Sequence, residues 1–175
     1  MKIVLIGYRG SGKSTVAAAL AQQLGLSLID TDTLVRACFN HAEVSEIFEE
    51  YGEARFRQVE TEIALKALQG NDFVAAFGGG TPIQPAVTQA LTDWADGTCV
   101  YLAAPAELLA ERIATDTGPG ADRPSLTGSW SAAEEVHQLL AEREPTYQRV
   151  ADLTIQTEHL TPAQIVEAII ASVHA

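Results

Sequence analysis

A short apolar run at the start of the chain, Ile3-Val4-Leu5-Ile6, passes directly into Gly7-Tyr8-Arg9-Gly10-Ser11-Gly12-Lys13-Ser14-Thr15. This string fits the pattern G-x-x-x-x-G-K-[ST] without a mismatch, and its setting, a strand before and a helix after, is the one in which the pattern carries chemistry. Glycines let backbone N–H groups curl around phosphate oxygens, and the N-terminus of the following helix adds partial positive charge. Gly10, Ser11, Gly12, Lys13, Ser14 and Thr15 are therefore candidate ligands of a nucleoside triphosphate. Lys13 would reach the outer phosphates and Ser14 would hold Mg²⁺ through its hydroxyl. Thr15 is the weaker member, placed where it also starts the packing of the helix.

The rest of the chain alternates between two periods. Apolar runs of strand length occur at 2–6, 26–29, 73–77, 98–102 and 152–156, separated by helix-like stretches at 13–24, 52–69, 85–95, 105–114, 131–144 and 161–173. Strand and helix alternating in this way predict one α/β domain over residues 1–175, a phosphate-loop NTPase-like three-layer sandwich. Its centre would be a five-stranded parallel sheet with helices on both faces. Residues 115–131, rich in Gly, Pro, Ser and Thr, form a loop longer than compact domains usually carry, so a mobile lid is expected there.

Charge excludes one class of partner. With 11 Lys+Arg against 23 Asp+Glu the net charge is -12, a poor match to nucleic-acid phosphates. No apolar run approaches the roughly 20 residues of a membrane span, and the two cysteines, Cys38 and Cys99, have neither disulfide nor zinc-ligand spacing. A cytoplasmic monomer is expected.

A phosphate-loop kinase also needs a carboxylate for the metal, usually at the carboxyl end of a strand. The second strand runs into Asp30-Thr31-Asp32. If the chain stays extended there, both carboxylates face one cleft: Asp30 as Mg²⁺ partner, Asp32 as base for an acceptor hydroxyl. Capping the next helix is the competing role for Asp32. Gly78-Gly79-Gly80, at the end of the third strand, reads equally as a flexible turn or as a place where a ligand approaches the backbone. Arg57 and Glu60 share a helix face beside Phe56, Arg123-Pro124 lies inside the long loop, and Arg143 stands on the next helix. Taken singly, Arg57, Glu60 and Arg143 read as surface charges.

In order and spacing these features resemble the shikimate kinase family along nearly the whole chain. The matching residues are the phosphate loop, Asp30-Thr31-Asp32, Ile47-Phe48, Gly52-Glu53, Phe56-Arg57-x-x-Glu60, Gly78-Gly79-Gly80, Arg123-Pro124 and Arg143-x-Pro145-x-Tyr147. The resemblance implies ATP-dependent phosphorylation of the 3-hydroxyl of shikimate, with Asp32 on the ring hydroxyls and Arg57 and Arg143 on the carboxylate. Phe48, Phe56, Glu60, Gly78, Gly79, Gly80 and Pro124 would border the acceptor, within a substrate region at about 32–61 and beyond. Lys13 and Arg123 would stabilise the transferring phosphoryl, Ser14 and Asp30 would position Mg²⁺, and Arg112 would lie against adenine. The sequence departs from the family in reading Asn40-His41 where Thr-Gly is usual, and in a longer stretch between Arg112 and Arg123. The alternatives are another small-molecule kinase of this fold, acting on a sugar acid or a nucleoside monophosphate, and a non-catalytic nucleotide-binding relative.

Overall fold

In the computed structural model, which describes residues 1–40, 43–116 and 131–173, five strands and seven helices alternate along the chain. The strands are β1 (Lys2–Ile6), β2 (Ser27–Asp30), β3 (Phe73–Ala76), β4 (Thr98–Ala103) and β5 (Leu153–Gln156). All pair in parallel, in the order β2-β3-β1-β4-β5. The helices are α1 (Lys13–Leu24), α2 (Thr31–Phe39), α3 (Val44–Leu68), α4 (Pro85–Thr92), α5 (Ala106–Thr115), α6 (Ala132–Val150) and α7 (Pro162–Val173).

The pleat divides the core in two. Ile3 and Leu5 of β1 point to the layer of α1 and α7, meeting Val16, Leu20, Ile165 and Ile169. Val4 and Ile6 point the other way, into a cluster with Ala64, Val87, Leu109, Leu140 and Tyr147 from α3, α4, α5 and α6. Alternate residues of one strand are thus buried on opposite faces, which is why β1 reads as a continuous apolar run. A smaller apolar cluster, Val35, Phe39, Val44, Ile47, Phe56 and Val59, joins α2 to α3 beside the sheet.

Three expectations are corrected. The Asp30-Thr31-Asp32 segment is not extended: the chain turns helical at Thr31, and Asp30, not Asp32, caps the helix, its Oδ1 accepting from Thr33 N at 2.9 Å. Residues 31–51, given no helix by periodicity, hold α2 and the first part of α3, which is broken at Gly52 (φ 79°, ψ 155°). Both pieces are short and pack on each other, so neither shows a long apolar stripe. The helix expected to stop at residue 144 runs on to Val150 with Pro145 inside it. Asn40 ends α2 in the left-handed conformation (φ 55°), which asparagine tolerates. Most of the stretch expected as a lid, with Arg123 and Pro124, lies outside the described residues, as does His41.

Candidate active site

Three neighbouring strands deliver three loops to one edge. β2, β3 and β1 end at Asp30, Ala76 and Ile6, with Asp30 opposite Ala76 and Ala76 opposite Leu5 in register. The acid pair, the glycine triplet and the phosphate loop therefore emerge side by side at the carboxyl edge of the sheet, where ligands of open α/β sheets bind.

The phosphate loop is held by its own lysine. Lys13 is buried and its Nζ donates to the Tyr8 carbonyl at 2.8 Å, bridging the loop from within, with Ser11 Oγ 3.5 Å away. Gly12, at φ 89°, makes the left-handed turn into α1 that a side chain would resist. Ser14 Oγ donates to Asp30 Oδ2 at 2.8 Å, so the first turn of α1 and the end of β2 bring a hydroxyl and a carboxylate together. The loop opens onto a cleft of about 530 Å³ that Asp30, Asp32, Arg112 and all the phosphate-loop candidates except the buried Ser11 line. Arg112 reaches it from α5, donating to the Gly10 carbonyl at 3.2 Å.

The second half of the site is built on the glycine triplet. A Cβ at Gly78 would overlap Asp32 Oδ1 and come within 2.9 Å of Glu60 Oε1, and one at Gly80 would overlap the Arg57 guanidinium. The triplet is thus a shelf over which Asp32, Glu60 and Arg57 gather, and side-chain bulk is what it excludes. Glu60 is 2% exposed, yet both of its carboxylate oxygens have a partner: Arg57 Nη1 donates to Oε2 at 2.8 Å and Thr81 Oγ1 to Oε1 at 2.8 Å. Arg57 also donates from Nε and Nη2 to Glu53 Oε1 at 3.2 and 3.1 Å. Burial works against the Arg57 charge, but the carboxylates of Glu60 and Glu53 outweigh it and raise its pKa above the ordinary arginine value. Its Cζ lies 5.3 Å from the centre of the Phe56 ring, which meets Phe48 edge to face at 5.1 Å across the break in α3. Phe56 belongs to the apolar cluster between α2 and α3 and supports Arg57 from beneath.

Arg143 approaches from α6, its Cζ 5.5 Å above the Tyr8 ring. One helical turn on, Tyr147 is fully buried and donates to the Gly79 carbonyl at 2.6 Å. Burial raises the Tyr147 phenol pKa well above its usual value, although the charge of Arg143, hydrogen-bonded to it, pulls the other way. The structure therefore joins Asp32, Arg57, Glu60, Arg143 and the glycines in one region beside the phosphate cleft, with Asp32 on the border of both.

Sequence reading gave several contributors no role in the site. Thr31, fully buried, donates to the Ala76 carbonyl at 3.3 Å and accepts from Gly78 N at 2.9 Å, tying the start of α2 to the glycine shelf. Arg9, Arg36, Thr115 and Asp116 line the cleft, Thr81 and Glu53 complete the Glu60–Arg57 network, and Tyr147 fixes the shelf to α6. A threonine between two aspartates carried no separate signal, whereas Tyr147 lay four residues from a candidate arginine, at the spacing of one helix face.

Known proteins resemble this chain in sequence and fold. Residues 9–174 match the family model described as shikimate kinase. The chain is 38% identical to a shikimate kinase of Mycobacterium avium over 174 residues, 99% of this chain and 94% of that protein. Among solved structures, the shikimate kinase from Acinetobacter baumannii in complex with shikimate superposes with a TM-score of 0.88 at 31% identity, covering 99% of this chain and 92% of that one. The shikimate kinase from Aquifex aeolicus gives 0.80 at 30% identity, covering 99% and 96%.

Proposed function

The chain belongs to the shikimate kinase family, transferring the γ-phosphoryl of ATP to the 3-hydroxyl of shikimate on the route to aromatic amino acids, and from that premise we propose how its residues divide the work. The carrying observation is that Asp32 borders two differently built regions, lining the phosphate cleft while lying against the Gly78 shelf that also seats Glu60 and Arg57.

Arg57 and Arg143 clamp the shikimate carboxylate, a planar anion suited to guanidinium pairing. Arg57 is already oriented by Glu53 and Glu60, so little side-chain entropy is lost when the acid binds. Phe48 and the glycine backbone border the ring, a role that the family resemblance also gives to Pro124, which lies outside the described residues. Asp32 accepts the proton of the 3-hydroxyl as its oxygen forms a bond to the γ-phosphorus. The bond from that phosphorus to the β–γ bridging oxygen breaks, and ADP leaves with the electron pair.

Lys13 leaves its loop carbonyl for the outer phosphates and stabilises charge as the phosphoryl moves, with Arg123 as a second cation. Backbone N–H groups of the phosphate loop hold the β-phosphate, and Arg112 lies beside the base. The hydroxyl of Ser14 and the carboxylate of Asp30 form an oxygen pair that fits Mg²⁺, a metal content with one or two protein ligands beside phosphate and water. With Mg²⁺ held there, the charge on the β- and γ-phosphates is partly neutralised. A cytoplasmic monomer fits ATP chemistry of this kind; among the described residues no helix is long and apolar enough to cross a membrane.

The test is turnover by purified protein with ATP, Mg²⁺ and a panel of hydroxylated acids. ADP release that depends on shikimate is expected. Turnover of gluconate without turnover of shikimate would overturn the reading.

A further inference from the structure

Arg36 has no part in the assignments above, yet it lines the phosphate cleft together with Lys13, Asp30 and Asp32. It stands on α2, one turn beyond Asp32, so Asp32 and Arg36 share a helix face. Side chains on a helix lean back toward its N-terminus. Arg36 does so, its Nη2 donating to Thr33 Oγ1 at 3.3 Å, which carries the guanidinium back over the first turn of α2. At that turn Asp30 meets Ser14 and Asp32 borders the acceptor shelf. The charge therefore reaches the cleft from α2, beside Asp30 and Asp32, whereas Arg112 reaches it from α5 and bonds Gly10.

Arg36 and Arg57, both on acceptor-side helices, differ in how they are occupied. Arg57 uses Nε, Nη1 and Nη2 on two carboxylates. Arg36 is half-buried and, among the described residues, spends one of its five N–H donors, on a neutral hydroxyl. The charge inventory points the same way. Around the cleft Arg9, Lys13, Arg36 and Arg112 face Asp30, Asp32 and Asp116, so the lining is positive by one charge, and removing Arg36 would leave it balanced. In a protein of net charge -12, a polyphosphate site needs that surplus.

We propose that Arg36 is a γ-phosphate ligand of ATP, gripping the transferred phosphoryl from the acceptor side. The proposal rests on the reading of this cleft as the ATP site. It makes Arg36 selective between triphosphate and diphosphate, favouring ATP entry and ADP departure.

The test is calorimetric titration of wild-type protein, Arg36→Gln and Arg36→Lys with ADP and with a non-hydrolysable ATP analogue, in Mg²⁺ and without shikimate. Arg36→Gln should weaken the triphosphate analogue about tenfold, the worth of one charge-assisted hydrogen bond, and ADP by less than about twofold. Arg36→Lys should keep part of the difference. Equal losses for both nucleotides, or no loss for either, would overturn the role of Arg36 while leaving the kinase reading intact. Wild-type protein that binds neither nucleotide would overturn the kinase reading, and this proposal with it.

Discussion

The phosphate half and the acceptor half of the site solve the same problem, holding an anion, by different means. The phosphate half is built around one unbroken stretch of chain, Gly7 to Thr15, whose working groups are backbone N–H groups and a lysine that bonds its own loop, with Asp30, Arg36 and Arg112 reaching it from outside. The acceptor half is assembled from α2, α3, the loop after β3 and α6, and its working groups are side chains fixed by other side chains. Arg57 depends on Glu53 and Glu60, Glu60 on Thr81, and the glycine shelf on Thr31 and Tyr147. Damage to the first half should therefore appear in the chemical step. Damage to the second should appear in acceptor affinity and in stability together.

The largest expected effect lies in the phosphate half. Lys13→Ala should lower kcat about 1000-fold, because the interaction strengthens as charge develops on the transferring group. Shikimate affinity, measured by equilibrium titration, should stay within about twofold. A tenfold loss of shikimate affinity would break the division of labour.

Arg57→Ala should raise the KM for shikimate about 100-fold, as expected for losing hydrogen bonds between charged partners. It should also destabilise the fold by about 3 kcal/mol in denaturant unfolding, because the buried Glu60 carboxylate loses its counter-charge. Adding Glu60→Gln to that variant should restore part of the stability and none of the affinity. Recovery of both would show that Arg57 acts on structure alone.

Gly80→Ala tests the shelf, since the added Cβ would overlap the Arg57 guanidinium. A rise of about tenfold in the shikimate KM is expected, with the ATP KM unchanged, from displacement of one well-placed ligand. Equal rises in both would mean that the substitution distorts the sheet edge as a whole. The smallest effect belongs to Tyr147→Phe, which removes the hydroxyl bound to the Gly79 carbonyl. It should cost about 1–2 kcal/mol of stability and raise the shikimate KM a few-fold, while nucleotide titrations stay at wild-type values.

The contrast also explains what could be read in advance. β1, the phosphate loop and α1 were legible because their chemistry is local: the spacing of two glycines and a lysine is itself the geometry. β1, β3 and β4 were legible because burial on both faces leaves continuous apolar runs, whereas β2 and β5, at the two edges of the sheet, are only partly buried and carry weaker patterns. α2 and the first part of α3 were not, because their apolar residues, Val35, Phe39, Val44 and Ile47, fall in two short helices that cover only each other and the rest of α3. Arg57 and Glu60 looked like an exposed helix pair from spacing alone; only the resemblance to a family gave them a role, and only packing showed that Glu60 is buried.

A net charge of -12 suits two anionic substrates only if the cations are gathered in one place, and the fold does this by placement. Arg9, Lys13, Arg36 and Arg112 border the phosphate cleft, and Arg57 and Arg143 lie beside it, so six cations converge around the cleft while most of the 23 carboxylates lie elsewhere. By itself the sequence determined the strands, the phosphate loop and the family, the first two because each is carried by residues close together in the chain, the last because a series of short motifs runs along its length. The tertiary structure alone decided that Asp30 rather than Asp32 caps α2, that the glycine triplet is a turn packed against Asp32, Glu60 and Arg57, and that Arg36 lines the phosphate cleft. Those three depend on which segments meet at the edge of the sheet, and contacts between distant segments leave no period or spacing in the chain.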